Sequence, residues 1–76
     1  GLDVVVWNSM LAAFMKAGKL DDALSSFHEM SQFGLTATRK TYRIVVFGLT
    51  NGGRTEDAEK IEGLHQLALG NGIQIE

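Results

Sequence analysis

The sequence contains no cysteine, so disulfides and thiolate metal sites are excluded within its 76 residues, although that absence is silent about the redox compartment. Only two histidines occur, His28 and His65. They stand 37 positions apart with no His-x-x-x-His pair, so no metal site is expected and solvated or rim imidazoles are the default reading. Long apolar runs are missing too. Runs such as residues 4–7 and 44–47 are far shorter than the roughly 20 residues a bilayer-spanning helix requires. No charge of one sign dominates, the net charge being −2. The glycine-rich stretch Gly52-Gly53-Arg54 lacks the Lys-Ser/Thr of a phosphate-binding loop, and no serine, histidine and acid arrangement is legible. No catalytic residue and no cofactor are expected. No charged, apolar, then small-residue cleavage pattern opens the chain, so a targeting peptide is absent or removed, and a start at Gly1 implies processing or excision.

What is present is a near-repetition at a spacing of 35 residues. It carries Asp3 to Thr38, Val6 to Thr41, Trp7 to Tyr42, Met10 to Val45, Leu11 to Val46 and Phe14 to Leu49. It continues with Gly18 to Gly53, Lys19 to Arg54, Asp22 to Asp57 and Ala23 to Ala58. Such a period means stacked helical hairpins, in which each unit buries its apolar face only against its neighbours. The 45% of apolar and 21% of charged residues are ordinary globular usage.

Helix signals recur in the same order in both halves. Asp3 precedes Val4, Trp7, Met10, Leu11 and Phe14 at helical spacing, and Gly18 closes that segment as a left-handed C-cap. The next segment starts near Leu20, carries Asp21 and Asp22 in its first turn, buries Leu20, Ala23, Leu24, Phe27 and Met30, and ends at Gly34. In the second half Thr38 caps a helix burying Tyr42, Val45, Val46 and Leu49. After the Asn51-Gly52-Gly53 turn, residues 55–57 open a last helix through Ala58, Ile61, Leu64 and Leu67. The run of residues 41–47 is β-branched enough to pass for a strand, but its apolar positions match the first helix at constant offset. The expectation is all-α: an α-solenoid of two stacked helix-turn-helix repeats, four antiparallel helices over residues 4–17, 20–33, 38–51 and 55–69. Residues 1–3 would end a preceding repeat, residues 4–38 form one repeat and residues 39–76 a divergent second. Phe33 and Phe47 fit the apolar stripes less well and are expected to meet a neighbouring repeat.

Residues 4–34, VVVWNSMLAAFMKAGKLDDALSSFHEMSQFG, resemble the motif of the pentatricopeptide repeat family. The resemblance rests on Trp7-Asn8, on Lys-Ala-Gly-Lys-Leu at residues 16–20, on Ala23-Leu24, and on Phe27 with Met30. The second unit keeps Thr41-Tyr42, Gly53-Arg54 and Glu56-Asp57-Ala58 and then departs. Glu62 replaces the apolar residue matching Phe27, and Gly72 follows Gly34 by 38 positions, so about three residues have been added to the last helix. Tetratricopeptide repeats run at 34 residues and favour a closing proline, a residue this sequence lacks altogether.

The resemblance implies binding of single-stranded RNA, one base per repeat, each base edge read by two or three side chains. By the same resemblance Asn8 and Thr38 would read the base, Val5 and Lys40 would sandwich it, and Asn favours pyrimidines. The usual partner for uracil would be Asp where Thr38 stands. The second unit has Arg43 in place of Asn8 and Glu76 in place of Thr38, a pair that fits no reading rule. Chemically, an amide offers both donors and an acceptor to a base edge, and an aliphatic stem gives a flat apolar wall. Arg39, Lys40 and Arg43 crowd the first turns of a helix, where cations oppose the dipole by about 0.3 to 1 kcal/mol each, so Arg39 and Arg43 are phosphate candidates. Read without the resemblance, Asn8 belongs on a solvated helix face, and Asp3 and Thr38 are N-caps contributing about 1 kcal/mol.

The expected function is therefore a sequence-specific RNA-binding module of a mitochondrial or chloroplast protein in RNA processing, editing, stability or translation. The alternative is a protein-interaction scaffold inside a larger ribonucleoprotein complex, which Arg43, Glu76 and the longer last helix favour. Neither reading involves a membrane or a metal. Two repeats expose their terminal faces, so self-association through uncapped ends is expected.

Overall fold

Asp3 begins the first helix by accepting a hydrogen bond from the Val6 backbone N–H at 2.9 Å, satisfying one of the free donors at a helix start. The computed structural model describes residues 3–75, in which four α-helices follow in order. These are α1 (Val4–Lys16), α2 (Leu20–Gln32), α3 (Arg39–Gly52) and α4 (Ala58–Gly70), with a short 3-10 turn at Thr55–Asp57 ahead of α4. No strand occurs among the described residues, and residues 41–47 lie inside α3. Ile44, Val45 and Val46 take a helix because one face of it is wanted by the core, which outweighs their modest β preference.

The short connections are closed by backbone geometry. After α1 the Lys19 N–H bonds the Phe14 carbonyl at 2.9 Å while Gly18 N–H bonds Met15 at 3.1 Å. After α2 the Leu35 N–H reaches the Met30 carbonyl at 2.9 Å and Gly34 N–H reaches Ser31 at 3.1 Å. Both pairs are the six-to-one and five-to-two bonds of a Schellman closure, which needs the positive φ of 76° at Gly18 and 75° at Gly34.

Helix α1 packs on α2 and α3 on α4, while the first helices of the two hairpins, α1 and α3, lie against one another and α2 also touches α3. One core results. Trp7 and Leu11 of α1, Leu20, Ala23, Leu24, Phe27 and Met30 of α2, and Tyr42, Val45, Val46 and Leu49 of α3 are all buried in it. Met10, Phe14 and Met15 are half-buried against it. The rings of Phe27 and Tyr42 meet edge-on at 5.6 Å, joining the two hairpins. Phe33 remains exposed with its ring 5.4 Å from that of Trp7, and Phe47 is exposed as well.

The last helix departs from the sequence expectation. Its buried residues are Leu64 and Ala68, whereas Ala58 and Leu67 are exposed and Ile61 is half-buried. The three additional residues do not lengthen it, since α2 and α4 have 13 residues each. They form the 3-10 turn that runs directly into it, where the Asp57 carboxylate is held by Arg54 and Lys60 and makes no cap bond to the helix backbone. Counted back from the Gly34 and Gly72 closures, the counterpart of Phe27 is His65 rather than Glu62. His65 is half-buried, and its Nε2 is enclosed without a hydrogen-bond partner among the described residues. Glu62 is exposed and accepts from Gln66 Nε2 at 3.1 Å.

Candidate nucleic-acid interface

Thr38 and Thr41 stand at cap and third position of α3, the spacing of a capping box. The Thr38 N–H donates to Thr41 Oγ1 at 3.0 Å and the Thr41 N–H donates to Thr38 Oγ1 at 3.4 Å. The two hydroxyl oxygens are 3.2 Å apart. Thr41 is fully buried, and its hydroxyl donates across the hairpin boundary to Asn8 Oδ1 at 2.6 Å.

Asn8 is only 6% exposed, so it does not lie on a solvated helix face. Its position on the α1 side turned toward α3 explains why: the neighbouring helix supplies the hydroxyl that satisfies the amide oxygen, which offsets the cost of burying it. No hydrogen-bond partner for its Nδ2 is found among the described residues. Asn8 and Thr38, from different hairpins, are thus linked through Thr41. Val5 lies one turn before Asn8 on α1 and is 72% exposed. Arg39, Lys40 and Arg43 are exposed at the start of α3, so none of their charges is consumed by burial. The Arg43 guanidinium lies 5.2 Å from the Phe47 ring centroid, a cation–π stack on the surface of α3. Glu76, the second unit's counterpart of Thr38, and the expected repeat end at residues 1 and 2 lie outside the described residues.

In the sequence, Thr41 stands out only as a repeated position. A signal for its role is nevertheless there: a hydroxyl three residues after a Thr cap, in a helix whose neighbouring stripe residues are apolar.

A second polar cluster sits beyond the far end of α3. Arg54 donates from Nε to Asp57 Oδ2 at 2.7 Å, from Nη2 to Asp57 Oδ1 at 3.0 Å and from Nη2 to Asp21 Oδ1 at 3.0 Å. Lys60 reaches Asp57 Oδ1 at 3.4 Å. The hydrogen bonds from Arg54 hold both carboxyls below their ordinary value, with Lys60 adding to the effect at Asp57 against its burial, and the guanidinium is pushed up in return. Each charged group in this cluster has an opposite charge within reach, so it is a fastening between hairpins rather than a reactive site. Among the described residues no group of His, Cys, Asp and Glu could hold a metal ion, and no helix is long and apolar enough to cross a membrane.

The sequence model of the PPR repeat family matches residues 2–51. The chain belongs to the pentatricopeptide repeat family. Similar proteins in Arabidopsis thaliana include the putative pentatricopeptide repeat-containing protein At1g17630, 38% identical over 56 residues, which cover 68% of this chain and 8% of that protein. Pentatricopeptide repeat-containing protein At4g14820 is 36% identical over 59 residues, covering 78% of this chain and 8% of its own length. A third, At5g55740, is named chloroplastic and is 26% identical over 74 residues, covering 97% of this chain and 9% of that protein. The chain spans about a tenth of the length of these curated relatives. No solved structure matches it. Pentatricopeptide repeat proteins are generally RNA-binding and generally without enzymatic activity of their own, and the helical hairpins seen here are the form such repeats take.

Proposed function

We propose that the chain is a sequence-specific single-stranded RNA-binding module of a larger pentatricopeptide repeat protein. Residues 4–38 make one repeat and residues 39–76 a second, divergent one, with residues 1–3 ending a preceding unit. Asn8 and Thr38 read a base, Val5 and Lys40 flank it, and Arg39 and Arg43 meet phosphates. The parent acts in organellar RNA processing, editing, stability or translation, in mitochondrion or chloroplast. The observation that carries this reading is the hydrogen-bonded connection of Asn8 to Thr38 through Thr41, which brings two candidate readers from different hairpins to one spot beside three exposed cations.

The Arg43–Phe47 stack favours a second reading, a scaffold for protein partners, because it presents a cation and an aromatic ring together on an exposed helix face. Binding of the full chain to single-stranded RNA panels at two salt concentrations separates the two. Base readers carry sequence information and phosphate contacts do not, so Asn8→Ala changes preference at one base with the salt dependence kept. Arg39→Ala with Arg43→Ala weakens all sequences together and shrinks the salt slope by about 0.7 for each phosphate no longer neutralised. Equal affinities for wild type and both variants would end the RNA-reading proposal.

A further inference from the structure

The helical charges of the described residues are sorted by layer. The first helices of the two hairpins carry Lys16 on α1 and Arg39, Lys40 and Arg43 on α3, and neither helix has an acid. The second helices are the reverse. Asp21, Asp22 and Glu29 on α2 and Glu59 and Glu62 on α4 are exposed, and the one cation of these helices, Lys60, is paired with Asp57. The chain is thus cationic in one layer and acidic in the other, a separation that the net charge of −2 conceals.

Between α2 and α4 lies an open cleft of about 450 Å³. Buried Leu24 and Leu64 line it together with exposed Leu67, Ser25 and Gly63, and Asp21 stands at its rim. Gly63 is inside α4, where glycine costs about 1 kcal/mol against alanine. Nothing lies within 4 Å of where its β-carbon would be, so no contact among the described residues requires the missing side chain. Met15 of the neighbouring hairpin fills the gap at Gly48 in the first-helix layer, whereas the gap at Gly63 has no occupant. Hairpins added at either end of the row would leave the cleft open, because it lies between second helices of hairpins that are already neighbours.

A surface suited to this cleft stands on α3. Lys40, Arg43 and Phe47 are all exposed and recur at i, i+3 and i+7, one stripe on the helix side turned away from the core. The Arg43 guanidinium, 5.2 Å from the Phe47 ring centroid, keeps charge beside the apolar end of the stripe.

We infer that the cleft between α2 and α4 receives the Lys40–Arg43–Phe47 stripe of a second copy of this chain. Phe47 enters among Leu24, Leu64 and Leu67 over Gly63, and Lys40 and Arg43 meet the acidic layer, in which Glu59 stands one turn before Gly63 on α4. The two surfaces differ, so the contact is head-to-tail. Each bound copy leaves one stripe or one cleft free, and association runs on rather than closing as a pair. A single helix stripe covers less than the roughly 1,200 Å² of a standard interface, so the contact is weak and reversible. The inference stands on these two surfaces and does not depend on RNA binding, so its failure leaves the RNA-reading proposal intact.

The test is sedimentation velocity of the full chain over a concentration series at low and high salt. The weight-average coefficient is expected to rise without levelling at a dimer, and high salt to weaken association about threefold or more, since the charges that meet are exposed. Two variants separate the surfaces. Gly63→Lys puts a long cationic side chain at the cleft, in a helix with room for it, and leaves the stripe intact. Arg43→Glu with Phe47→Ala removes the stripe and leaves the cleft. Each alone is expected to associate about tenfold more weakly than the wild type, the usual loss when an interface anchor is removed. An equimolar mixture of the two is expected to form one-to-one pairs and stop there, because one variant supplies the only working stripe and the other the only working cleft. Circular dichroism checks that both keep their helix content; if Phe47→Ala loses it, Lys40→Glu with Arg43→Glu takes its place. A wild type that stays monomeric, closes at a dimer or ignores salt overturns the inference. So does undiminished association of either variant, which would put the contact at the ends of the row, and so does a mixture that remains monomeric.

Discussion

The indole Nε1 of Trp7 donates to the Ser26 carbonyl at 2.9 Å, fastening α1 to α2 within the first hairpin. Tyr42 stands at the corresponding place in the second hairpin, yet its hydroxyl accepts from Asn71 Nδ2 at 3.3 Å, beyond the end of α4. Each ring fills the same core, and its polar edge finds whatever backbone or amide the local length provides.

Trp7→Phe keeps most of the ring and loses the bond. The expected cost is about 0.5 to 1.5 kcal/mol beyond the smaller apolar area, since the indole's bond to a part-buried carbonyl is lost. Chemical denaturation of both proteins checks it, and an unchanged midpoint would count against the bond's contribution.

The Arg54 cluster predicts an acid transition. Asp21 and Asp57 have folded-state pKa values below the ordinary carboxylate value, so their contribution is fully present above that value and is lost as pH falls through the lowered ones. Thermal unfolding followed from pH 7 downward should show a level region and then a fall below about pH 4. Arg54→Met should be less stable at pH 7 and should fall less steeply in acid. Parallel acid limbs for the two proteins would contradict the assignment.

Gly48 on α3 faces Met15 of α1, and a β-carbon there would collide with the Met15 side chain. Alanine would gain about 1 kcal/mol of helix propensity, against about 1 to 3 kcal/mol for overpacking. Gly48→Ala is therefore expected to destabilise the wild type and to stabilise Met15→Ala. A double-mutant cycle of melting temperatures measures the coupling, and additive effects would refute it.

Val5, Val6, Phe33, Leu67 and Leu69 are large apolar side chains left exposed. Sedimentation velocity over a concentration series should show association, and Leu67→Lys with Leu69→Lys should reduce it. A wild type that stays monomeric at every concentration would rule this out.

The 35-residue period made the first three helices legible to within a residue or so, because caps, glycine stops and apolar stripes all agreed there. The last helix was harder to read. Its start falls beside the Asp57 carboxylate, which Arg54 and Lys60, each three positions away, hold in ion pairs, a local pairing that caps and apolar stripes do not reveal. Asn8 was legible as a residue of interest but not as a buried one. Burial there depends on the Thr41 hydroxyl, 33 positions away.

The fit of Met15 beside Gly48 also gives the stack a direction. In this contact α1 supplies the side chain and α3 the gap, so the two first helices present unlike faces to each other. A contact of this kind joins unlike faces and so cannot close on itself in a symmetric pair. Hairpins joined through it all point the same way, so the row has distinguishable ends, and a strand lying along it would meet the units in one polarity only.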